Sequence, residues 1–321
     1  MKIAVVGCGA LGSYYGAKLC RAGRTVHFLL RSDYETVRRR GVHVISPEGN
    51  FHVNPKCARN PEDIGICDLV LIGLKTTANA AFPNLLPPLV GPQTAILTLQ
   101  NGLGSEAELA RLFGEEKILG GLCFVCLNRV APGRIEHSAH GRIVMGEYRR
   151  WPEPRTHDIA SMFRHAGIPC DVAASLEQAH WDKLAWNIPF NGLGVASAAG
   201  LEAMLSTDGP VVRRQDCLTT DRLLGDPAWE NLVRELIREI MAAAKALGWP
   251  IDEDTERVQI SRTREMGPYK ASTVVDFEQG RSLELETLFL EPLRQAEAAG
   301  IVMPRLSALC RVLRILDGSS Q

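Results

Sequence analysis

The chain has 321 residues, 45% hydrophobic and 23% charged, with 36 basic against 37 acidic side chains and a net charge of −1. At roughly 150 residues per domain that length suggests two domains, and the composition excludes a disordered chain, a collagen-like chain and a coiled coil. Near-neutral charge gives no global field to gather nucleic acid or an anionic membrane, and no apolar run reaches the roughly 18 residues of a membrane-spanning helix.

The first third alternates strands and helices. Ile3 to Gly7 is a β-rich apolar run, read as a strand because glycines break it too early for a signal peptide. Residues 10–22 follow with helical spacing (Leu11, Tyr14, Tyr15, Leu19, Cys20), closed by Gly23, and Thr25 to Leu30 is a second strand. Together they make a βαβ unit. Residues 42–46 and 51–53 form a predicted hairpin around Pro47-Glu48-Gly49-Asn50. Asp68 to Leu74, apolar from Leu69 onward, reads as a strand buried on both faces. Residues 76–90 read as a helix interrupted by Pro83, Pro87 and Pro88. Thr94 to Leu99 is a strand, 105–113 a helix and 117–127 a strand. Residues 134–138 and 142–146 suggest an antiparallel pair, 157–167 a helix, and Pro169 to Val172 a last strand.

Beyond about residue 173 only helical patterns remain, over 175–196, 228–248, 252–265, 281–299 and 304–316. Asp226 before Pro227 reads as an N-cap with proline at the first helical position. The expectation is an α/β N-terminal domain over 1–172 and an all-α C-terminal domain over 173–321.

Chemistry enters with Gly7-Cys8-Gly9-Ala10-Leu11-Gly12, a G-x-G-x-x-G between a predicted strand and a predicted helix. In that context it is the fingerprint of a Rossmann dinucleotide-binding domain. Gly7 allows the tight turn, Gly9 lets backbone approach a pyrophosphate, and Gly12 lets helix and strand pack. The helix N-terminus, at Ala10 and Leu11, adds N–H groups and partial positive charge. An acid at the end of the second strand would bond the ribose 2′-OH of NAD. Arg31 stands there instead, suited to the 2′-phosphate of NADP, while Asp33 reads as a helix N-cap. Lys75 and Asn101 fall at the carboxyl ends of sheet strands, where open α/β sheets bind ligands. In the helical half, Lys183, Asn187 and Asn191 recur every four residues on one face of an otherwise apolar stretch that Pro189 would kink. A buried polar stripe needs partners, and a ligand with a carboxylate and a carbonyl would supply them.

These segments, with Gln100-Asn101-Gly102-Leu103-Gly104 and Trp181-Asp182-Lys183-Leu184-Ala185-Trp186-Asn187, resemble ketopantoate reductase (2-dehydropantoate 2-reductase) in matching order over almost the whole chain. The resemblance implies a Rossmann domain followed by a helical domain, and reduction of 2-dehydropantoate to pantoate by NADPH on the route to pantothenate and coenzyme A. It implies that Lys183 is the catalytic acid, that Asn187 and Asn191 bind substrate, and that Ser272, in Tyr269 to Asp276, does the same. It makes Glu284 the match for the active-site glutamate, and it puts Gly7, Gly9, Gly12, Arg31, Lys75 and Asn101 on the cofactor side. The chemistry is coherent: hydride addition puts negative charge on oxygen, and a lysine positioned by a glutamate can donate the proton. Asn191-Gly192 stands where the family often has Asn-Pro, and residues 198–217 read as an inserted stretch.

Two alternatives stay open. One is a reductase of another small 2-keto acid on the same architecture. The other is a non-catalytic NADP-binding sensor, which would have no need of Lys183 with Glu284. The nine cysteines are scattered and odd in number, which points to reduced thiols and a cytoplasmic location. Cys123-x-x-Cys126 lies in a strand-like context without a second pair, so no metal site is expected. The expected partner is a small 2-keto acid, not nucleic acid or membrane, and the apolar helical half could support a homodimer.

Overall fold

The structure is a computed structural model and describes residues 1–206 and 209–318. It divides into two units: Met1–Asn101 with Ser105–Leu176, and Gly102–Gly104 with the chain from Glu177 onward. The first unit therefore runs to Leu176 rather than ending at 172.

The first unit contains β1 (Lys2–Val6), α1 (Ala10–Arg21), β2 (Thr25–Leu29), α2 (Tyr34–Arg40), β3 (Val42–Ile45), β4 (Phe51–Val53), β5 (Lys56–Ala58) and β6 (Cys67–Ile72). After these come α3 (Phe82–Leu85), β7 (Val90–Thr98), α4 (Ser105–Phe113), β8 (Ile118–Ala131), β9 (Arg134–Glu147), α5 (Pro154–His165) and β10 (Cys170–Val172). Among the described residues the strands form one sheet in the order β4-β3-β9-β8-β7-β6-β1-β2-β5, with β10 beside β9. Strands β1, β2, β5, β6, β7 and β8 run parallel; β9 runs antiparallel to β8. Alternate residues of the central strands feed cores on opposite faces. Ile3, Val5, Leu69 and Leu71 join Tyr14, Leu19 and Phe163 on one face. Ala4, Val6, Val70 and Ile72 join Phe82, Leu86 and Leu109 on the other. Burial on both faces is why Ile3 to Val6 and Leu69 to Ile72 are apolar at every position.

Several expectations change. Residues 134–138 and 142–146 are not an antiparallel pair but parts of β9, which pairs along its length with β8. The apparent turn between them is an irregularity in the strand: His140 and Gly141 both adopt positive φ, 65° and 133°. The predicted helix over 76–90 is instead a 3₁₀ turn (Thr76–Ala81), the short α3 and a second 3₁₀ turn (Pro87–Leu89). Three prolines there deny the amides that a continuous helix needs. Asp33 does occupy the residue before α2, yet its carboxylate makes no cap bond. It pairs with Arg129 instead.

The second unit is helical: α6 (Leu176–Asn187), α7 (Leu193–Ala196), α8 (Leu201–Leu205), α9 (Thr220–Gly225), α10 (Pro227–Ala246), α11 (Thr255–Glu265), α12 (Ser272–Glu278), α13 (Glu291–Ala298) and α14 (Pro304–Gly318). They share one apolar core around Trp181, Leu193, Leu236, Ile240, Phe289 and Leu313. Asp226 caps α10 as expected, accepting from Ala228 N at 2.8 Å and Trp229 N at 3.3 Å. The expected helix over 175–196 is not uniform: Ile188–Gly192 widens into a π-helical turn. The stretch over 281–299 likewise begins with a π-helical turn, Glu286–Leu290. Within 198–217, α8 is followed by chain tied back to the end of α7: Arg214 N bonds Ala198 O at 2.7 Å and Gln215 Nε2 bonds Ser197 O at 2.8 Å. Thr207 and Asp208 of that stretch lie outside the described residues.

Candidate active site

The glycine loop is built as its spacing requires. Gly7 has φ +93°, and a Cβ on it would stand 2.3 Å from Leu74 N. A Cβ on Gly12 would stand 2.3 Å from Gly7 O, and one on Gly73 would stand 2.9 Å from Gly12 Cα. Three backbones thus meet where only glycine fits. Above Gly9 nothing lies within 4 Å, so the space beside the N-terminus of α1 is open. That helix has no acid in its first turn and no side-chain cap at Gly9. The amides of Ala10, Leu11 and Gly12 precede its first internal bond, from Ser13 N to Gly9 O. Such a terminus suits a pyrophosphate. Cys8 packs inward, its thiol on Val5 O, and burial holds it in the neutral form.

Arg31 lies exposed just beyond β2. The nearby acids are already paired. Asp33 is 6% exposed and both its oxygens meet Arg129 Nη1, at 2.6 and 2.7 Å. Glu35 pairs with Arg59 at 2.9 Å. The donor set therefore fits a dinucleotide with a 2′-phosphate. Lys75 is exposed at the end of the β6 segment, immediately after the Gly73-Leu74 backbone on which Gly7 rests. Asn101 follows β7. Behind it runs a polar chain that sequence reading did not single out. Thr98 Oγ1 donates to Gln100 Oε1 (2.9 Å), Gln100 Nε2 to Asn79 Oδ1 (2.7 Å), and Asn79 Nδ2 to Ser105 Oγ (3.2 Å). A run of amide and hydroxyl residues at a strand end was the available signal.

The second unit brings the amides together. Asn187 and Asn191 are 7% and 2% exposed. Asn191 Nδ2 donates to Asn187 Oδ1 at 3.5 Å, and Asn191 Oδ1 accepts from Ser272 Oγ at 3.3 Å and Thr273 N at 3.0 Å. The Thr273 amide had no sequence signal, because any residue carries one. Lys183 is half-buried one turn before Asn187 on α6. The π turn across Pro189 keeps Asn191 within reach of Asn187 although proline carries no N–H. Glu284 is 7% exposed and lies two residues before the second π turn, its carbonyl accepting from Leu288 N. The two π turns approach closely at Gly192, where a Cβ would stand 2.9 Å from Phe289 Cε1 and 2.5 Å from Leu309 Cδ2. Gly102, at φ +84°, allows the Gly102–Gly104 loop onto the same turn: Leu103 N bonds Thr287 O at 2.8 Å.

Comparison with known proteins agrees with both halves. The family model described as ketopantoate reductase PanE/ApbA matches residues 3–150, and its C-terminal counterpart matches residues 215–317. A 2-dehydropantoate 2-reductase of Nostoc sp. is 38% identical over 100% of this chain and 96% of its own. Among solved structures, a 2-dehydropantoate 2-reductase from Geobacter metallireducens is 42% identical over 98% of this chain and 99% of its own, with a TM-score of 0.89. One from Methylococcus capsulatus is 32% identical over 100% and 98%, also at 0.89.

Proposed function

The chain belongs to the ketopantoate reductase family, and from that premise we propose how its residues divide the NADPH-dependent reduction of 2-dehydropantoate to pantoate, a step of pantothenate and coenzyme A biosynthesis. NADPH, when bound, supplies the hydride that reaches the 2-keto carbon. Lys183 donates the proton to the carbonyl oxygen as negative charge grows there, and its ammonium stabilises that charge. Glu284 orients Lys183. Asn187, Asn191 and Ser272 hold the substrate's polar groups without adding charge. On the cofactor side, Gly7, Gly9 and Gly12 shape the loop, and the amides of Ala10, Leu11 and Gly12 take the pyrophosphate. Arg31 takes the 2′-phosphate, and Lys75 and Asn101 complete that side.

The observation that carries the substrate reading is the bonded set of Asn187, Asn191 and Ser272 one helical turn beyond Lys183. A buried amide pair held in register by a hydroxyl is preorganised for a polar ligand, and Asn187 keeps an Nδ2 donor outside that bond. The test is NADPH oxidation by purified protein with 2-dehydropantoate, pyruvate and 2-ketoisovalerate. Turnover of 2-dehydropantoate alone, with kcat/KM of about 10⁴ M⁻¹s⁻¹ or more, is expected. A protein that binds NADPH and turns over none of the three would overturn the substrate half of the reading.

Among the described residues no helix is long and apolar enough to cross a membrane. Among the described residues the nine cysteines form no disulfide, which supports a reducing, cytoplasmic setting. A homodimer through the apolar helical half is to be tested by light scattering.

A further inference from the structure

Asp33 sits two residues past Arg31, in the stretch where a cofactor-binding acid selects NAD. Left alone, its carboxylate would accept from a ribose 2′-OH and repel a 2′-phosphate. We propose that Arg129, through its ion pair with Asp33, sets the preference for the phosphorylated cofactor. The inference rests on the cofactor reading above.

The geometry is specific. Arg129 Nη1 bridges both carboxylate oxygens, at 2.6 and 2.7 Å, and Ser32 Oγ donates to Oδ1 at 2.9 Å. The Asp33 side chain is 8% exposed and the Arg129 side chain 41% exposed. Asp33 also raises the Cys8 thiol, which places its charge within reach of the glycine loop. Arg129 comes from the far end of β8, 96 positions along the chain, beside a register shift between Arg129 and Ala131. Such an irregularity re-aims a side chain. The other acid of the segment, Glu35, is held by Arg59, which follows β5. With both acids occupied, the end of β2 presents Arg31 without an opposing free carboxylate. Arg129 acts through Asp33 and is a positioning residue for specificity.

The experiment measures binding of 2′,5′-ADP and of 5′-AMP by calorimetry to wild type, R129Q, R129K, D33N and the R129Q/D33N pair. Melting curves establish that each variant is folded. R129Q should lower the ratio of the two affinities about tenfold or more, because truncating one partner leaves the other charge unpaired. R129K should retain most of the ratio, and adding D33N to R129Q should restore it. A merely structural ion pair would move the melting temperature and not the ratio. An unchanged ratio in folded R129Q, or no restoration by D33N, overturns the inference. If R129Q does not fold, D33N alone decides: the inference requires the ratio to hold or rise, and its collapse would refute it. A wild-type protein that binds 2′,5′-ADP no better than 5′-AMP would instead sink the cofactor reading, and this inference with it.

Discussion

In the proposed mechanism two charged side chains divide the chemistry. With Lys183 as the proposed proton donor, Lys183→Ala should lower kcat roughly 10²- to 10⁴-fold, the usual worth of a positioned acid. Binding of 2′,5′-ADP should be unchanged, because Lys183 is assigned to the substrate side. Full reductase activity in that variant would contradict the assignment. Arg31 is proposed to contribute affinity and not protons. Arg31→Ala should raise KM for NADPH about tenfold or more, as expected for a lost charge-assisted bond, and barely alter KM for NADH. A wild-type preference for NADH would refute its role. Asn191 shows why the polar face of this helix is not merely solvated: it is 2% exposed and bonded on both sides, to Asn187 and to Ser272 and Thr273.

At the scale of elements, the two π-helical turns matter most. One directly follows Asn187 and the other begins two residues after Glu284, both proposed site residues, and the turns meet where Gly192 lacks a side chain. Gly192→Ala should cost about 1–3 kcal/mol of stability by overpacking against Phe289 and Leu309, and should lower kcat as Asn191 shifts. Asp226→Ala removes the cap of α10 and should cost about 1 kcal/mol with no kinetic effect. Denaturant unfolding together with steady-state kinetics separates the two. The same helix carries an ion-pair cluster. Burial raises the carboxyls of Glu230 and Glu256, but bonds from Arg234, Arg238 and Arg264 outweigh it and hold both below the ordinary 4.5. Their contribution is therefore present above that value and lost as pH falls through and below it. Since the arginines are about a third to two-thirds exposed, the effect should be small and weakened by salt. Arg234→Ala should flatten the acid limb of the stability curve. An unchanged limb would mean that other groups control it.

For the whole molecule, the cofactor should act as a stabiliser. A ligand at 100 times its Kd adds about 2.7 kcal/mol to a fold that alone can bind it. NADPH should therefore raise the melting temperature clearly, and NADH at the same concentration should raise it less. Equal shifts would refute the selectivity assigned to the end of β2. Membership of the family rests on both parts of the chain, since separate models match residues 3–150 and 215–317.

What was legible in the sequence is what depends on neighbours along the chain. The glycine fingerprint, the βαβ opening, the capped α10 and the i, i+4 polar face of α6 are local patterns, and local geometry obeys them. The 3₁₀ turns within 76–89 and the continuous β9 are not legible locally, because proline breaks and a positive-φ irregularity at His140 imitate other local signals. Contacts between distant residues were not legible. Asp33 reads as a cap until Arg129 arrives from another strand, and Asn191 reads as a stripe until Ser272 and Thr273 reach it. Sequence spacing sets which face of an element a residue occupies. Only the packed fold decides which partner meets it there, because a buried charge or amide must be satisfied by whatever the tertiary structure brings.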